Sequence, residues 1–231
     1  MNLCLLSGGA TFGLVDEVKT EFEARQHCRI SGQFGAVGAM KDKLLSGDPC
    51  DVIILSRKLI DQLNEQGALI QDSIRDVATI GTGIAVIEGE AIAPITDAAS
   101  FIAALKNASG IYIPDMDKST AGIHLKKTFR NLDVFDAIKD RIHEFPNGAT
   151  AMKTMAANAV PHSLGCTQLT EIRYTPGVVA VAPLPAGCAL DTVYTAAIPR
   201  NSAATDLAGT WIDSLTDASL DGFKRGNGFA K

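Results

Sequence analysis

Small, hydroxyl-bearing and glycine residues concentrate at two places in this chain where an apolar run gives way to a helical pattern. They are Ser7-Gly8-Gly9-Ala10-Thr11 and Lys118-Ser119-Thr120-Ala121-Gly122. A helix start presents amide N–H groups without an intrahelical acceptor, together with the positive end of the helix dipole, so each stretch is a candidate anion seat. Ser7, Gly8, Gly9 and Thr11 would form a backbone nest if their loop is tight. Asp117, Ser119 and Thr120 all have N-cap chemistry, and Gly122 would let a ligand approach the backbone. A plain strand-to-helix turn and an ordinary capped helix account for the same residues. A further helix start of this character, Phe34-Gly-Ala-Val-Gly-Ala-Met40, favours the anion reading.

The acid–base types in reach of such seats are Tyr194, His124, Glu171 and Lys118. His124 lies one turn into a helix, where a neutral packed imidazole is the simpler role. Lys118 has the charge to meet a carboxylate and equally suits a solvated position before a helix. Arg173 can hold a carboxylate bidentately or pair with Glu171 or Asp191 at the surface. No Ser-His-Asp set, metal-ligand cluster, phosphate loop or dinucleotide fingerprint occurs, so no metal and no cofactor is expected.

The totals narrow the partners. Lys and Arg number 21 and Asp and Glu 26, a net charge of −5, which argues against a nucleic-acid partner. A small anion is compatible with that charge, because a local cluster of N–H groups dominates at short range. No apolar run reaches the roughly 18 residues of a membrane span. The five cysteines, Cys4, Cys28, Cys50, Cys166 and Cys188, are scattered without a C-x-x-C pair and read as small buried hydrophobes in a reducing compartment. Met1 leads straight into an apolar strand, which implies a cytoplasmic protein, or a periplasmic one from which a leader has been removed.

The elements that must position these residues alternate. Leu3–Leu6 is a strand, followed by a helix with Leu14, Val15, Val18 and Phe22 on one face. Cys28–Ser31 is a strand, followed by a helix with Met40 and Leu44. Asp51–Leu55 is a short apolar run typical of a buried parallel strand, followed by a helix with Leu59, Ile60 and Leu63. Three such units predict a parallel sheet with right-handed crossovers and ligands at the carboxyl ends of its strands. Ala78–Ile87 and Leu190–Ile198 are long extended runs that would cross between lobes. Between them lie a helix with Phe101, Ile102 and Leu105, a strand Gly110–Ile113, and a helix with Ile123 and Phe129 on its apolar face and Leu125 alongside. After these come a strand Asp140–Phe145, a helix opened by Asn147-Gly148, a strand Ser163–Cys166, a short helix Thr167–Arg173 and a strand Val178–Ala182. A last helix carries Leu207, Trp211 and Leu215. The expected division is 1–84 with 192–231 as one α/β lobe and 85–191 as the other, with an interlobe cleft.

That layout resembles the type 2 periplasmic-binding-protein fold and, within it, the molybdate-binding family of ABC-transporter receptors. The strings that carry the resemblance are Gly47–Leu55, Thr120–His124 and Thr192–Ile198. The resemblance implies a monomeric receptor that closes on a small anion and serves an ABC permease. By position it implies ligand contacts near Ala10, Thr11, Val37, Gly38, Ala121, Asn147 and Tyr194, beside Ser119 and Thr120. It places Gln168 and Thr170 at a helix start facing the ligand, where an amide and a hydroxyl can fix a carboxylate. Two serines that contact tetrahedral oxyanions in that family are replaced here by Ala10 and Val37. Ser7-Gly8-Gly9, Gln168–Ile172, Pro176-Gly177 and Pro183–Pro185 are similar to a subgroup that includes aconitate isomerase, which shifts a double bond in a tricarboxylate without a cofactor. The expected ligand is therefore a di- or tricarboxylate bound by a receptor. The alternative is a cofactor-free isomerase with Tyr194 or His124 as candidate catalytic residues. An effector-sensing module acting through a partner protein is a third option.

Overall fold

A computed structural model describes residues 1–230. The chain gathers into two compact units, Met1–Thr79 with the segment from Thr192 onward, and Ile80–Asp191.

The first unit opens with β1 (Asn2–Gly8), α1 (Phe12–Gln26), β2 (Arg29–Gly35), α2 (Val37–Leu45), β3 (Val52–Ser56) and α3 (Arg57–Glu65). β1 lies between β2 and β3 and is parallel to both, with Leu5 beside Gly32 on one side and Val52 on the other. All five residues of β3 are buried, as a parallel strand covered by helices on both faces requires. β4 (Arg75–Ile87) then leads into the second unit, starting three residues earlier than the extended run in the sequence suggests.

The second unit contains α4 (Ala98–Asn107), β5 (Ile111–Pro114), α5 (Thr120–Asn131), α6 (Phe135–Ile138), β6 (Ile142–Phe145), α7 (Gly148–Asn158), β7 (Leu164–Gln168), α8 (Leu169–Arg173) and β8 (Val178–Pro183). β5 is parallel to β6 and β7, and β4 pairs antiparallel with β7 and β8. One face of this sheet buries Ile84, Phe101, Leu105, Ile113, Leu125 and Phe129. The other buries Tyr112, Met152, Met155 and Ile172. Burying a side chain of this size contributes about 1.5–3 kcal/mol.

β9 (Asp191–Ala197) brings the chain back to the first unit, where it pairs antiparallel with β3. α9 (Thr205–Thr216), α10 (Asp221–Gly226) and β10 (Phe229–Ala230) follow. Trp211 of α9 is fully buried and meets Phe22 of α1 edge-on at 4.8 Å. That contact ties the last long helix to the first.

Several expectations need correction. Ile123 is 49% exposed, so the buried face of α5 runs through Ala121, Leu125, Thr128 and Phe129. β6 starts at Ile142 because Lys139–Arg141 forms a 3-10 turn in which the Arg141 guanidinium donates to the carbonyls of Lys106 and Ala108. β7 begins one residue later than expected and keeps Thr167 and Gln168, so α8 starts at Leu169. All five cysteines are free thiols, but Cys4 is half-buried where the other four are buried. Burial pushes the Cys50 and Cys166 thiols up to about 12, which leaves them inert as nucleophiles or ligands.

Candidate functional site

In the first unit the candidate residues meet where β1 and β2 run out toward helix starts. β1 continues to Gly8, and Gly9–Thr11 form a 3-10 turn that enters α1 at Phe12. This replaces the expected nest. A nest alternates right- and left-handed backbone, whereas Gly8 is extended at φ −58 and ψ 138. The hydroxyls of Ser7 and Thr11 are fully buried and lie 2.5 Å apart, so that one donates to the other, and the hydrogen left over reaches the Gly8 carbonyl. They lock the turn and do not face outward. Ala10 and Val37 are buried too, at 3% and 5% exposure. Val37 and Gly38 form the first turn of α2, where amide donors lack acceptors within the helix.

Tyr194 completes this group. It sits on β9 opposite Ser56 of β3 and is 3% exposed. A Cβ on Gly8 would lie 2.8 Å from Tyr194 Cε1 and 2.9 Å from Val37 Cγ1. Gly8 is thus the residue that lets the tyrosine ring and the Val37 side chain close over the end of β1. Two aromatic residues join this group: Phe12, which the sequence reading missed, and Phe34, which it named only as the first residue of the Phe34–Met40 stretch. Phe34 pairs with Ser7 in the β1–β2 register, and its ring meets that of Phe12 edge-on at 5.1 Å. Phe12 is 44% exposed. The available signal was an aromatic placed directly after Thr11, where α1 begins.

The second unit carries the start of α5. Ser119 is its N-cap residue, but its side chain makes no capping bond. The turn before it is organised by Asp115, whose carboxylate accepts the N–H groups of Asp117 and Lys118 at 2.7 Å each, while its carbonyl accepts that of Ser119. Thr120 and Ala121 form the first turn. Gly122 does not provide access for a ligand: a Cβ there would strike the carbonyls of Pro114 and Asp115, so its role is close packing of α5 on the preceding turn. His124 is committed as well. Its Nε2 lies 2.7 Å from the Cys188 carbonyl and 3.3 Å from Thr128 Oγ1, which anchors the segment between β8 and β9.

At the start of α7 the anion seat is already filled from within. Asn147 caps the helix, its Oδ1 accepting from Thr150 N at 2.8 Å and Thr150 Oγ1 at 3.0 Å. The Glu171 carboxylate accepts from Thr167 Oγ1 at 2.6 Å and from the backbone N–H groups of Ala149, Gln168 and Gly148. Burial pushes the Glu171 carboxyl above its ordinary range, and these hydrogen bonds offset part of that effect. Gln168 and Thr170, 2% and 1% exposed, precede Glu171 at the β7–α8 junction. Arg173 stands exposed at the end of α8, whereas Glu171 is buried. Among the described residues no group of three or more His, Cys, Asp or Glu could hold a metal ion, and no helix is long and apolar enough to cross a membrane.

This architecture recurs in known proteins. The periplasmic molybdate-binding protein of Azotobacter vinelandii superposes with a TM-score of 0.80 at 17% identity, over 99% of each chain. The sulfate-binding protein SubI of Mycobacterium tuberculosis gives 0.75 at 15% identity, over 99% of this chain and 86% of that one. In sequence, aconitate isomerase from a Pseudomonas species is 26% identical over 233 residues, covering 96% of this chain and 84% of that protein. The fold is the α/β periplasmic-binding-protein-like fold of the two solved structures, as the resemblance implied. The sequence pattern of the bacterial extracellular solute-binding proteins matches residues 3–230, so the chain belongs to that family.

Proposed function

We propose that this solute-binding protein takes a small organic anion with two or three carboxylates in preference to a tetrahedral oxyanion. The observation behind this reading is the composition of the Gly8 seat. Ala10 and Val37 are buried apolar residues, and the Ser7 and Thr11 hydroxyls are spent on each other and on Gly8. The seat offers amide donors, apolar surface and the Tyr194 ring where hydroxyl donors would suit an oxyanion. A hydrogen bond to a charged oxygen is worth about 1.5–3 kcal/mol. Lacking two of them weakens molybdate binding by about a hundredfold or more. Gln168, Thr170 and the Arg173 guanidinium are donor types that suit flat carboxylates. As a receptor, the protein would deliver its ligand to an ABC permease.

A second reading is supported by the Pseudomonas relative, which is named aconitate isomerase and matches nearly the whole chain. An allylic isomerisation needs one group to take a proton beside a carboxylate and return it at the other end of the double bond, with no net redox change. The contact of His124 Nε2 with the Cys188 carbonyl leaves Tyr194 as the better candidate for that role.

Calorimetry and thermal shift with citrate, tricarballylate and cis- and trans-aconitate against molybdate, tungstate and sulfate test the first reading. A ligand that binds only the folded form raises the melting temperature. The carboxylates are expected to do so, and submicromolar molybdate affinity overturns the proposal. Ultraviolet absorbance of cis- or trans-aconitate incubated with the protein tests the second, and an unchanged spectrum at high protein concentration removes aconitate as a substrate.

A further inference from the structure

The second unit encloses a pocket of about 460 Å³ that shares no residue with the anion seats. Its walls come from the end of β4, the stretch leading to α4, α4 itself and the residues just before β7. The volume falls within the range of small-molecule sites. Val86, Ala104 and Leu164 supply apolar wall, and no lysine or arginine lines it.

Two polar groups in the lining point to a ligand. Ser163 is 1% exposed, and its Oγ is buried without any hydrogen-bond partner. Buried hydroxyls in folded proteins are almost always paired, so an orphan on a residue of the cavity wall, which a turn about χ1 would bring to the cavity, is open to a ligand partner. Next to it in sequence, His162 holds a left-handed backbone at φ +61, which is uncommon for a residue with a side chain. Its N–H donates to both carboxylate oxygens of Glu90, at 3.1 and 3.3 Å. This bond fixes a half-buried negative charge in the same lining as the orphan hydroxyl. Strained backbone held by a specific contact is a feature of ligand clamps.

We propose that this pocket binds a small organic amine, its apolar body against Val86, Ala104 and Leu164 and its ammonium group donating to the Glu90 carboxylate and, once the serine turns about χ1, to Ser163 Oγ. Glu90 sets the sign of the ligand: a cation gains a charge-assisted hydrogen bond, and an anion meets a like charge. The pocket shares no residue with the anion seats, so the inference holds whichever anion the protein carries.

The test is a titration of ¹⁵N-labelled protein with three matched probes, 2-phenylethylamine, 2-phenylethanol and 3-phenylpropionate, followed by amide shifts. The amine is expected to shift the amides of Ala104, Ser163 and Leu164 saturably and to bind about tenfold tighter than the alcohol, while the carboxylate leaves them in place. Glu90→Gln should reduce the amine to the affinity of the alcohol. Ala104→Phe should fill the pocket and abolish both. Ser163→Ala keeps the fold independently testable, because it removes an unpaired hydroxyl: the melting temperature should hold or rise while amine affinity falls. Absence of saturable shifts at these amides, equal binding of amine and carboxylate, or an amine affinity untouched by Glu90→Gln and Ser163→Ala would each overturn the proposal.

Discussion

The Glu171 carboxylate occupies the space that a side chain at Gly148 would need, and only a glycine there lets it reach the first turn of α7. Gly148→Ala should therefore expel the carboxylate from its donors. Loss of a buried charged group's partners is expected to cost about 3–5 kcal/mol, read as a lower denaturation midpoint in urea.

The same carboxyl makes stability depend on pH. Its folded pKa is raised above the ordinary 4.5, so the folded state binds the extra proton more tightly than the unfolded chain. That contribution is fully present below about pH 4.5 and is lost as pH rises through the folded pKa. Glu171→Gln cannot titrate. The stability of the wild type relative to this variant should fall as pH rises from 4.5, by about 1.4 kcal/mol per pH unit until the folded pKa is passed. Urea titrations at a series of pH values measure it, and parallel curves for the two proteins would contradict it.

Restoring hydroxyls to the Gly8 seat should change its preference. Val37→Ser with Ala10→Ser returns two donors of about 1.5–3 kcal/mol each to a charged oxygen. Molybdate affinity, measured by calorimetry, is expected to rise about a hundredfold, with carboxylate affinity unchanged or weaker.

Tyr194→Phe keeps the ring that packs on Gly8 and removes only the hydroxyl. Fold stability should change by less than about 1.5 kcal/mol, while carboxylate affinity falls about tenfold. Gly8→Ala does the reverse of a mild change. Its methyl group would displace the ring and Val37 together, costing about 1–3 kcal/mol by overpacking, and ligand binding should fall with it.

His124→Ala removes the imidazole held at the Cys188 carbonyl. A loss of about 1 kcal/mol in stability, with ligand affinity within about twofold, is the outcome expected of an anchoring role. A large loss of affinity at unchanged stability would instead place the imidazole against the ligand.

Much of the fold was legible because its signals are local. The four-residue apolar run Val52–Leu55 of β3 is bounded by Asp51 and Ser56, and Asn147-Gly148 announces the start of α7 by cap chemistry alone. The features that went unread depend on contacts distant in sequence. Glu171 fills the α7 seat from 23 residues downstream of Gly148, so the same cap residues that suggest an anion site cannot reveal that its anion is built in. Phe34 becomes a neighbour of Ser7 only through the β1–β2 register, and Gly8 becomes a packing residue only once Tyr194 returns on β9. Ile123 failed for a different reason: helical periodicity offered Ile123, Leu125 and Phe129 together, and three residues spread over that arc cannot all face one core.

The edge-on contact between Phe22 and Trp211 has a consequence for the order in which the protein can be made. The second unit is one continuous stretch, whereas the first needs both ends of the chain. On a ribosome adding about 5–20 residues per second, Trp211 follows Thr79 by 132 positions, or roughly 7–26 s. Through that interval the N-terminal strands and α1 lack the helix that covers them. The internal unit can finish first, and the nascent protein carries an exposed apolar surface around Phe22 that invites a chaperone until α9 arrives.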